Sequence, residues 1–477
     1  MSRSPDLLYR RIAAALAHQI QTGGLRVGDQ LPSLRALQRL HGVSLNTAKQ
    51  AYWELERQWL IEARPQSGFY VSRTPGQALA LPPTSAPPAA EGTESAEALI
   101  IRVYETLDNP AFTQLSMAVP DASLLPVAKL NKAVGRALRT LPGSGTGYEE
   151  LAGSARLRGA VARWSFTWGG TLQAEELITT AGAMNALTYS LLAVTKPGDT
   201  VAVESPTYVW ALQLIRSLGL RALELPTHPV TGIELEALQQ ALPRIQACLL
   251  IPNFSNPLGN CMPDDHKRAV VQLLASRQIP LIEDDVYGDL YYGTRRPPPC
   301  KAFDEQGLVL WCSSVSKTVA PGYRVGWVAA GQFQEAIRQR KLLQAISSPP
   351  LNQEVIADFL EQGRYEHHLH TLRGVLHANS RACRRAIAEY FPAETRVTQP
   401  TGGFTLWVEL PRQVDTRVLF EAMLRRRISI APGRLFTQHN QFNHCLRLSY
   451  GVPWTPHVEA CLQELGGLAQ QLAISAG

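Results

Sequence analysis

The sequence lacks the apolar runs and the cysteine spacings that mark membrane proteins and disulfide-rich or zinc-binding proteins. No segment reaches the roughly 18 uninterrupted apolar residues of a membrane-spanning helix. Seven cysteines are scattered over 477 residues without C-x-x-C spacing, so the pattern predicts neither a disulfide framework nor a metal site. Charged residues make up 18% of the chain and hydrophobic residues 45%. These proportions predict a globular protein with a sizeable core and no membrane partner.

The length of the chain predicts two or three domains, because single cores stop growing well below 477 residues. Residues 1–6 are polar, and the segment that follows carries arginines, a histidine and a glutamine rather than an apolar signal core. We therefore expect a cytoplasmic protein.

Positive charge is concentrated near the amino terminus. The first 74 residues contain ten Arg or Lys and five Asp or Glu, a net charge of +5, whereas the whole chain carries +6. The remaining 403 residues are therefore almost neutral. A small basic domain in front of a large neutral one predicts a nucleic-acid-binding module joined to something else.

Helical periodicity organises the basic domain. Leu8, Ile12, Leu16 and Ile20 fall on one face of a first helix. Ser33 precedes a second helix that ends at Gly42, and Ser44 is placed to cap a third helix over 45–57. Two short helices joined at a glycine predict a helix-turn-helix, and the short apolar runs at 60–61 and 69–71 predict a two-stranded wing.

The motifs of 31–35, 43–48 and 67–71 resemble the winged-helix domain of the GntR transcription regulators. The match covers residues 5–73, and we assign the domain to 1–74. Polar residues on the outer face of the third helix are types that reach bases and phosphates in a major groove. With the contacts that the resemblance implies, the predicted residues that bind double-stranded operator DNA are Ser33, Arg35, Asn46, Thr47, Lys49, Arg64 and Gly68.

Residues 75–98 have the composition of a linker. Prolines at 75, 82, 83, 87 and 88 stand among alanines and small polar residues, with few bulky side chains. Such a composition does not bury a core. We interpret the segment as an extended, semi-stiff linker that leaves two globular parts to move independently, with the second part at 99–477.

The large domain alternates helical segments with short apolar runs at 200–203, 247–251, 280–282 and 308–311. This pattern predicts an α/β fold with a mostly parallel sheet covered by helices, and ligands in such sheets bind beyond the carboxyl ends of the strands. Lys317 lies just beyond the last of these runs, among hydroxyls. Burial there would lower the pKa of its ammonium group and make it a nucleophile.

Polar residues that follow successive strands have the types that a pyridine aldehyde phosphate needs. Asp284 would keep the ring nitrogen protonated, Tyr287 and Asn256 would bond the ring hydroxyl, Tyr208 would stack on the ring, and Lys317 would form an imine. The groups predicted to hold the phosphate are Ser314, Ser316, Arg324 and the backbone N–H groups of Ala183 and Met184 at the start of a helix.

These motifs resemble fold-type I, aspartate-aminotransferase-like proteins that depend on pyridoxal 5'-phosphate, over roughly residues 110–470. The resemblance implies that Lys317 is the catalytic residue and forms the aldimine with this cofactor. It also implies that Arg447 binds a substrate or effector carboxylate and that Tyr148 reaches the phosphate of a neighbouring subunit, which requires a homodimer. A winged helix, a linker and an aminotransferase-like domain in this order resemble the MocR subfamily of GntR regulators.

Two functions agree with this arrangement. In one, the protein is a DNA-binding transcription regulator whose large domain senses an amino acid, an amine or pyridoxal phosphate through Lys317, with little or no turnover. In the other, it is an active aminotransferase with an appended winged helix. The basic amino-terminal surface favours the regulator. For side-chain specificity the candidates are Tyr291, Tyr292 and Arg295.

Overall fold

The structure is a computed structural model that describes residues 5–57, 60–64, 67–72, 79–92, 96–107, 109–361 and 363–475. The chain divides into two compact units, Met1–Ala78 and Leu79–Gly477. Among the helices in this described part, none combines the length and the apolar character needed to cross a membrane.

The small unit is a three-helix bundle with a hairpin. Its elements are α1 (Pro5–Gln21), α2 (Leu34–His41), α3 (Leu45–Arg57), β1 (Ile61–Arg64) and β2 (Gly68–Val71). The two strands pair antiparallel, with Ile61 opposite Val71 and Arg64 opposite Gly68. The first strand continues to Arg64, so the wing is longer than the apolar run at 60–61 alone indicates.

Local signals set the ends of the helices as the sequence predicts. Ser33 caps α2 by accepting a hydrogen bond from Ala36 N at 3.2 Å, and Gly42 ends it with φ +62°. Ser44 Oγ accepts from Thr47 N at 3.0 Å at the start of α3. The inner face of α3 is fully buried against α1 and α2, as its 3.6-residue periodicity requires.

The large unit alternates helices and strands. Its helices are α4 (Glu97–Tyr104), α5 (Val127–Thr140), α6 (Ala155–Trp164), α7 (Ala183–Val194), α8 (Val209–Ser217), α9 (Leu235–Ala241), α10 (Asp264–Ala275), α11 (Gln334–Ala345), α12 (Pro350–Glu361), α13 (Arg364–Tyr390), α14 (Thr416–Leu424) and α15 (Pro456–Ser475). Its strands are β3 (Thr113–Gln114), β4 (Leu177–Thr180), β5 (Thr200–Ser205), β6 (Arg221–His228), β7 (Gly232–Ile233), β8 (Ala247–Leu250), β9 (Leu281–Asp284), β10 (Val309–Ser314), β11 (Gly326–Ala329), β12 (Arg396–Val397), β13 (Thr405–Glu409), β14 (Ile428–Ser429), β15 (Ala431–Pro432) and β16 (Cys445–Ser449).

Eight strands form the main sheet in the order β4-β11-β10-β9-β8-β5-β6-β7. The pairs β10–β9, β9–β8, β8–β5 and β5–β6 are parallel, whereas β11 runs antiparallel to β10 and β4. Apolar residues of the central strands pack on both faces of the sheet. The predicted mostly parallel α/β fold is confirmed. A second sheet, β12-β13-β16-β15, carries Arg447 on β16.

Part of the predicted linker belongs to the large unit. Ala80 bridges to Arg396, and its carbonyl accepts from Val397 N at 2.9 Å. Ser85 N donates to Thr227 O at 3.2 Å, and Glu91 accepts from Thr200 Oγ1 at 3.0 Å. The interpretation of 75–98 as one independent linker is therefore wrong for 79–92, because backbone groups of this proline-rich stretch find partners on β6 and β12 that composition does not reveal.

Candidate functional site

The carboxyl ends of adjacent parallel strands bring the predicted polar residues together. Asn256 lies in the loop after β8, Asp284 is the last residue of β9, and Lys317 follows the end of β10 by three residues. Because β8, β9 and β10 are neighbours in the sheet, their loops converge on one site. The structure therefore places these three predicted residues at one edge of the sheet.

Asp284 is buried and only partly satisfied. Its Oδ1 has no hydrogen-bond partner, and burial raises the pKa of its carboxyl to about 7, an effect that the nearby Lys317 opposes. An unpartnered buried carboxylate oxygen is costly on its own. A protonated ring nitrogen would satisfy it, so this residue fits the pyridine end of pyridoxal phosphate.

Lys317 is held close to this carboxylate. Its Nζ donates to the Ala118 carbonyl at 2.7 Å and lies 5.9 Å from the centre of the Tyr287 ring. Burial lowers the pKa of its ammonium group to about 8, against the attraction of Asp284. Part of the amine is therefore neutral near physiological pH, and the neutral form is the one that attacks an aldehyde.

Asn256 connects the ring-oxygen position to the predicted carboxylate-binding arginine. Its Nδ2 donates to Tyr287 Oη at 3.4 Å, and its Oδ1 accepts from Arg447 Nη1 at 2.9 Å. Arg447 Nη2 also donates to the Ser116 carbonyl, while its buried Nε has no partner. Burial lowers the pKa of Arg447. Nothing in the described residues neutralises this guanidinium with a carboxylate.

The predicted phosphate-binding groups lie together at the start of α7. Gly182 precedes the helix with φ +84° and no side chain caps it, so its first N–H groups lack a side-chain acceptor. Arg324 Nη2 donates to the Ala181 carbonyl at 3.1 Å, and a Cβ on Gly182 would lie 2.4 Å from that nitrogen. A guanidinium beside an uncapped helix start is suited to a phosphate. Ser314, the last residue of β10, and Ser316 in the loop after it are buried. Ala183 and Met184 begin the helix.

Two predicted residues lie at the margins of this cluster. Tyr208 lines a cavity next to Lys317 and Arg447. Tyr148 is 85% exposed and does not join the cluster within one chain. Its exposure leaves it available to a second copy.

The cavity has walls that sequence reasoning missed. Ile100, Val103 and Tyr104 of α4 line it. Phe436 lines it too, and the centre of its ring lies 5.1 Å from Cζ of Arg447. Helical periodicity marks α4 in the sequence, but no local signal shows that one face of this helix would meet a strand 340 residues further on. The candidates for specificity lie elsewhere. Tyr292 Oη donates to the Gly403 carbonyl, Tyr291 packs under Arg373, and neither lines this cavity; Arg295 is exposed and does not line it either.

In the small unit, most of the predicted DNA-binding residues are exposed. Ser33, Arg35, Asn46, Lys49 and Gly68 face solvent. Gly68 opens β2 with φ +108°, a conformation that favours glycine at the tip of the wing. The side chain of Arg64 lies outside the described residues.

The outward position predicted for Thr47 is wrong. Thr47 is 7% exposed, and its hydroxyl lies 2.8 Å from Ser44 Oγ. The residue reinforces the cap of α3 because the helix begins at Leu45, which turns the third position inward.

Comparisons with known proteins match both units. Residues 112–457 match the model of aminotransferase class I and II, and residues 8–71 match that of the gntR family of bacterial regulatory proteins. The chain is 38% identical over 464 residues to the uncharacterised HTH-type transcriptional regulator YjiR of Escherichia coli (strain K12), covering 96% of this chain and 98% of that protein. It is 30% identical over 373 residues to the 2-aminoadipate transaminase of Thermus thermophilus, covering 76% of this chain and 91% of the transaminase.

Among solved structures, the α-aminoadipate aminotransferase LysN of Thermus thermophilus, complexed with N-(5'-phosphopyridoxyl)-L-leucine, superimposes with a TM-score of 0.73 at 28% identity. The match covers 78% of this chain and 95% of LysN. The aminotransferase class I and II family binds pyridoxal phosphate. The buried Asp284, the half-buried Lys317 and the exposed Arg324 fit that cofactor. The chain belongs to the aminotransferase class I and II family and carries an amino-terminal gntR-family helix-turn-helix domain, the domain order of the MocR subfamily.

Proposed function

We propose that this protein is a DNA-binding transcription regulator whose large domain, loaded with pyridoxal phosphate, senses a small amino acid or amine or the cofactor itself. One observation carries the proposal. A single chain combines a winged helix with exposed Arg35, Asn46 and Lys49 and a buried lysine–carboxylate site in which Asp284 Oδ1 and Arg447 Nε lack partners. YjiR, a relative that matches nearly the whole chain, bears the name of a transcriptional regulator.

Each polar residue has a separate part in this function. Asp284 would accept a hydrogen bond from the ring nitrogen and keep it protonated, and Arg324 with the start of α7 would bind the phosphate. Lys317 would hold the cofactor covalently through its amine, and the amine of a ligand would compete for that position. Arg447 binds a carboxylate with two parallel N–H groups. The cofactor supplies an electrophilic carbon and an electron-withdrawing ring when bound.

Ligand binding has a short route along the chain to the first segment of the large unit, residues 79–92. Residues of α4 line the cavity, and α4 begins at Glu97, shortly after the segment 79–92 that lies along the large unit. A ligand that binds more tightly to one position of α4 changes how often the segment 79–92 is attached to the rest of the large unit. The signal to the DNA-binding domain then passes through the chain connection itself.

We propose that the active protein is a homodimer and that it works in the cytoplasm. Tyr148 is 85% exposed and would reach the phosphate bound by a second copy. A homodimer also presents two winged helices, which suits an operator made of paired half-sites.

The test is a titration of the purified, cofactor-loaded protein with DNA from upstream of its own gene and of the divergent neighbour. DNA binding and the visible absorbance of the lysine-bound cofactor are followed while amino acids, amines and free pyridoxal phosphate are added. Specific binding that changes together with the absorbance is the expected result. Specific DNA binding that no such compound alters would rule out the sensor.

An aminotransferase is the second candidate. It is favoured by the pKa of Lys317 near 8 beside Asp284, since a partly neutral lysine also moves protons, and by the 30% identity to a transaminase. In the same preparation, release of a keto acid with conversion of the cofactor to its amine form, without specific DNA binding, would establish the enzyme.

A further inference from the structure

The cavity beside Lys317 combines a single recognition point for a carboxylate with otherwise apolar walls. We infer that it takes an α-amino acid whose side chain is uncharged and apolar or aromatic, and that α4 sets this preference. The inference deepens the proposed function, because it rests on this cavity being the ligand site and names the chemical class of the ligand.

The proposed carboxylate position is the buried Arg447 guanidinium, which has no counter-ion among the residues that the structure describes. Arg447 is 5% exposed, donates to the Asn256 side chain and the Ser116 carbonyl, and keeps one buried nitrogen, Nε, without a partner. Both of its partners are neutral. A buried cation of this kind is satisfied best by an anion that arrives with the ligand.

The amino group must sit close to that carboxylate. Lys317 donates a hydrogen bond to the Ala118 carbonyl, and Arg447 donates one to the Ser116 carbonyl. Both cations are therefore hydrogen-bonded to the same three-residue segment. The α-carbons of Ser116 and Ala118 lie at most about 7 Å apart, because two residues of extended chain reach no further. Anchoring points this close favour a ligand whose amine and carboxylate share one carbon over a ligand whose amine lies at the far end of a longer chain.

Most of the remaining wall is apolar. Ile100 and Val103 of α4 are 6% and 3% exposed, and Val209, Leu435 and Phe436 also line the cavity. In the described residues, Lys317 and Arg447 are the sole charged groups lining this space. A charged ligand side chain would lose its water there without gaining a partner, which disfavours acidic and basic amino acids.

Tyr104 gives the wall a fixed shape. Its hydroxyl accepts a hydrogen bond from Trp210 Nε1, and the two rings meet edge to face at 5.1 Å. The Tyr104 ring is thereby held in place in the wall of the cavity, which Tyr208 also lines. A rigid aromatic surface at this place favours flat or branched apolar side chains.

The experiment measures ligand binding to the full-length, cofactor-loaded protein by isothermal titration calorimetry, with the cofactor absorbance as a second readout. The probes are L-leucine, L-phenylalanine, L-glutamate, L-lysine and 3-methylbutylamine, which is leucine without its carboxylate. We expect leucine or phenylalanine to bind at least about tenfold more tightly than the other three. Equal or tighter binding of glutamate, lysine or the amine overturns the inference, as does failure of both apolar amino acids to bind at about 10 mM.

A pair of variants on α4 tests the role of the helix. Val103→Lys adds a cation to the wall, and we expect it to reverse the preference between L-leucine and L-glutamate. Ile101→Lys is the matched control, because Ile101 is 58% exposed on the same helix and does not line the cavity. An unchanged preference in a folded Val103→Lys variant, or a change of the same size in the control, overturns the assignment to α4.

The two proposals fail in distinguishable ways. If the protein binds no specific DNA, the regulator proposal is ruled out, but the preference for apolar amino acids measured by calorimetry remains valid. If an acidic, basic or carboxylate-free ligand binds most tightly and still alters DNA binding, the regulator proposal is supported and the inferred ligand class is wrong.

Discussion

The two units of this chain present their polar residues in opposite ways. In the small unit, Arg35, Asn46 and Lys49 stand exposed on helices whose other faces fill a compact core. In the large unit, Asp284, Lys317 and Arg447 are enclosed, and burial shifts the pKa of each. The first arrangement suits a ligand that is itself a large charged surface, since DNA phosphates approach from outside. The second suits covalent chemistry on a small molecule, which requires a partly neutral amine and a site shielded from water.

The comparison also predicts how each unit responds when a charged side chain is removed. An exposed arginine contributes mainly through its own contacts with DNA, so its loss is expected to be local. A buried charge is tied to several partners, so its removal alters both the chemistry and the stability of the unit. The following variants test this difference, from the largest expected effect to the smallest.

Lys317→Ala should abolish covalent attachment of the cofactor and its visible absorbance, because no other amine in the described cluster lies beside Asp284. Circular dichroism and operator binding should show that both units remain folded. Lys341→Met is the control. Burial also lowers the pKa of Lys341 to about 8, yet its Nζ lies 3.4 Å from Thr179 Oγ1, outside the cluster. A retained absorbance in Lys317→Ala would mean that another lysine carries the cofactor.

Asp284→Asn should have opposite effects on the empty and the loaded protein. The folded pKa of about 7 lies above the ordinary value of 3.8, so the carboxylate destabilises the empty protein fully above pH 7, and this cost disappears as the pH falls below 3.8. At pH 8 the variant should therefore raise the free energy of unfolding without cofactor by up to about 4 kcal/mol. Cofactor affinity should fall by about tenfold or more, because the charged partner of the ring nitrogen is lost.

Its neighbour provides the control for that variant. Asp285 accepts from Arg296 at 2.7 Å, Trp311 at 2.9 Å and Asn253 at 2.9 Å, so its carboxylate is fully paired. Asp285→Asn should destabilise the protein by about 3 kcal/mol, since it leaves the buried Arg296 guanidinium short of a counter-ion. If both variants change stability in the same direction in thermal or urea unfolding, the distinction between the two acids is wrong.

The rate at which the cofactor attaches to the empty protein should report the pKa of Lys317. Below pH 8 the amine is mostly protonated, so the rate should rise about tenfold per pH unit and level off above pH 8. Stopped-flow absorbance between pH 6 and about pH 10 measures this profile. A rate that keeps rising toward the ordinary lysine value of 10.5 would show that burial does not shift this group.

Arg35→Ala should weaken operator binding by about 1 kcal/mol and reduce the salt dependence of the affinity by about one unit of slope, because one phosphate contact is lost. The cofactor absorbance should not change. Arg425→Ala, an exposed arginine after α14 in the large unit, is the control. Fluorescence anisotropy at several salt concentrations measures both, and unchanged affinity in Arg35→Ala would remove this residue from the interface.

Most of the winged helix could be predicted from local patterns. Ser33, Gly42 and Ser44 mark helix ends because their caps depend on residues within one turn. Thr47 shows the limit of such patterns. A helix that starts one residue earlier or later rotates its third position by about 100°, and only packing against α1 and α2 decides which residues are inside.

In the large unit, the sequence determined by itself the order of helices and strands and the set of polar residues that follow β8, β9 and β10. Hydrophobic periodicity and adjacency in the chain are local properties, and parallel strands necessarily place their carboxyl ends at one edge. The tertiary structure alone decided that 79–92 lies along the large unit and that α4 closes the cavity opposite Arg447. These contacts join residues more than 100 positions apart. They depend on complementary shape and on buried hydrogen bonds, and neither of these leaves a periodic pattern in the sequence.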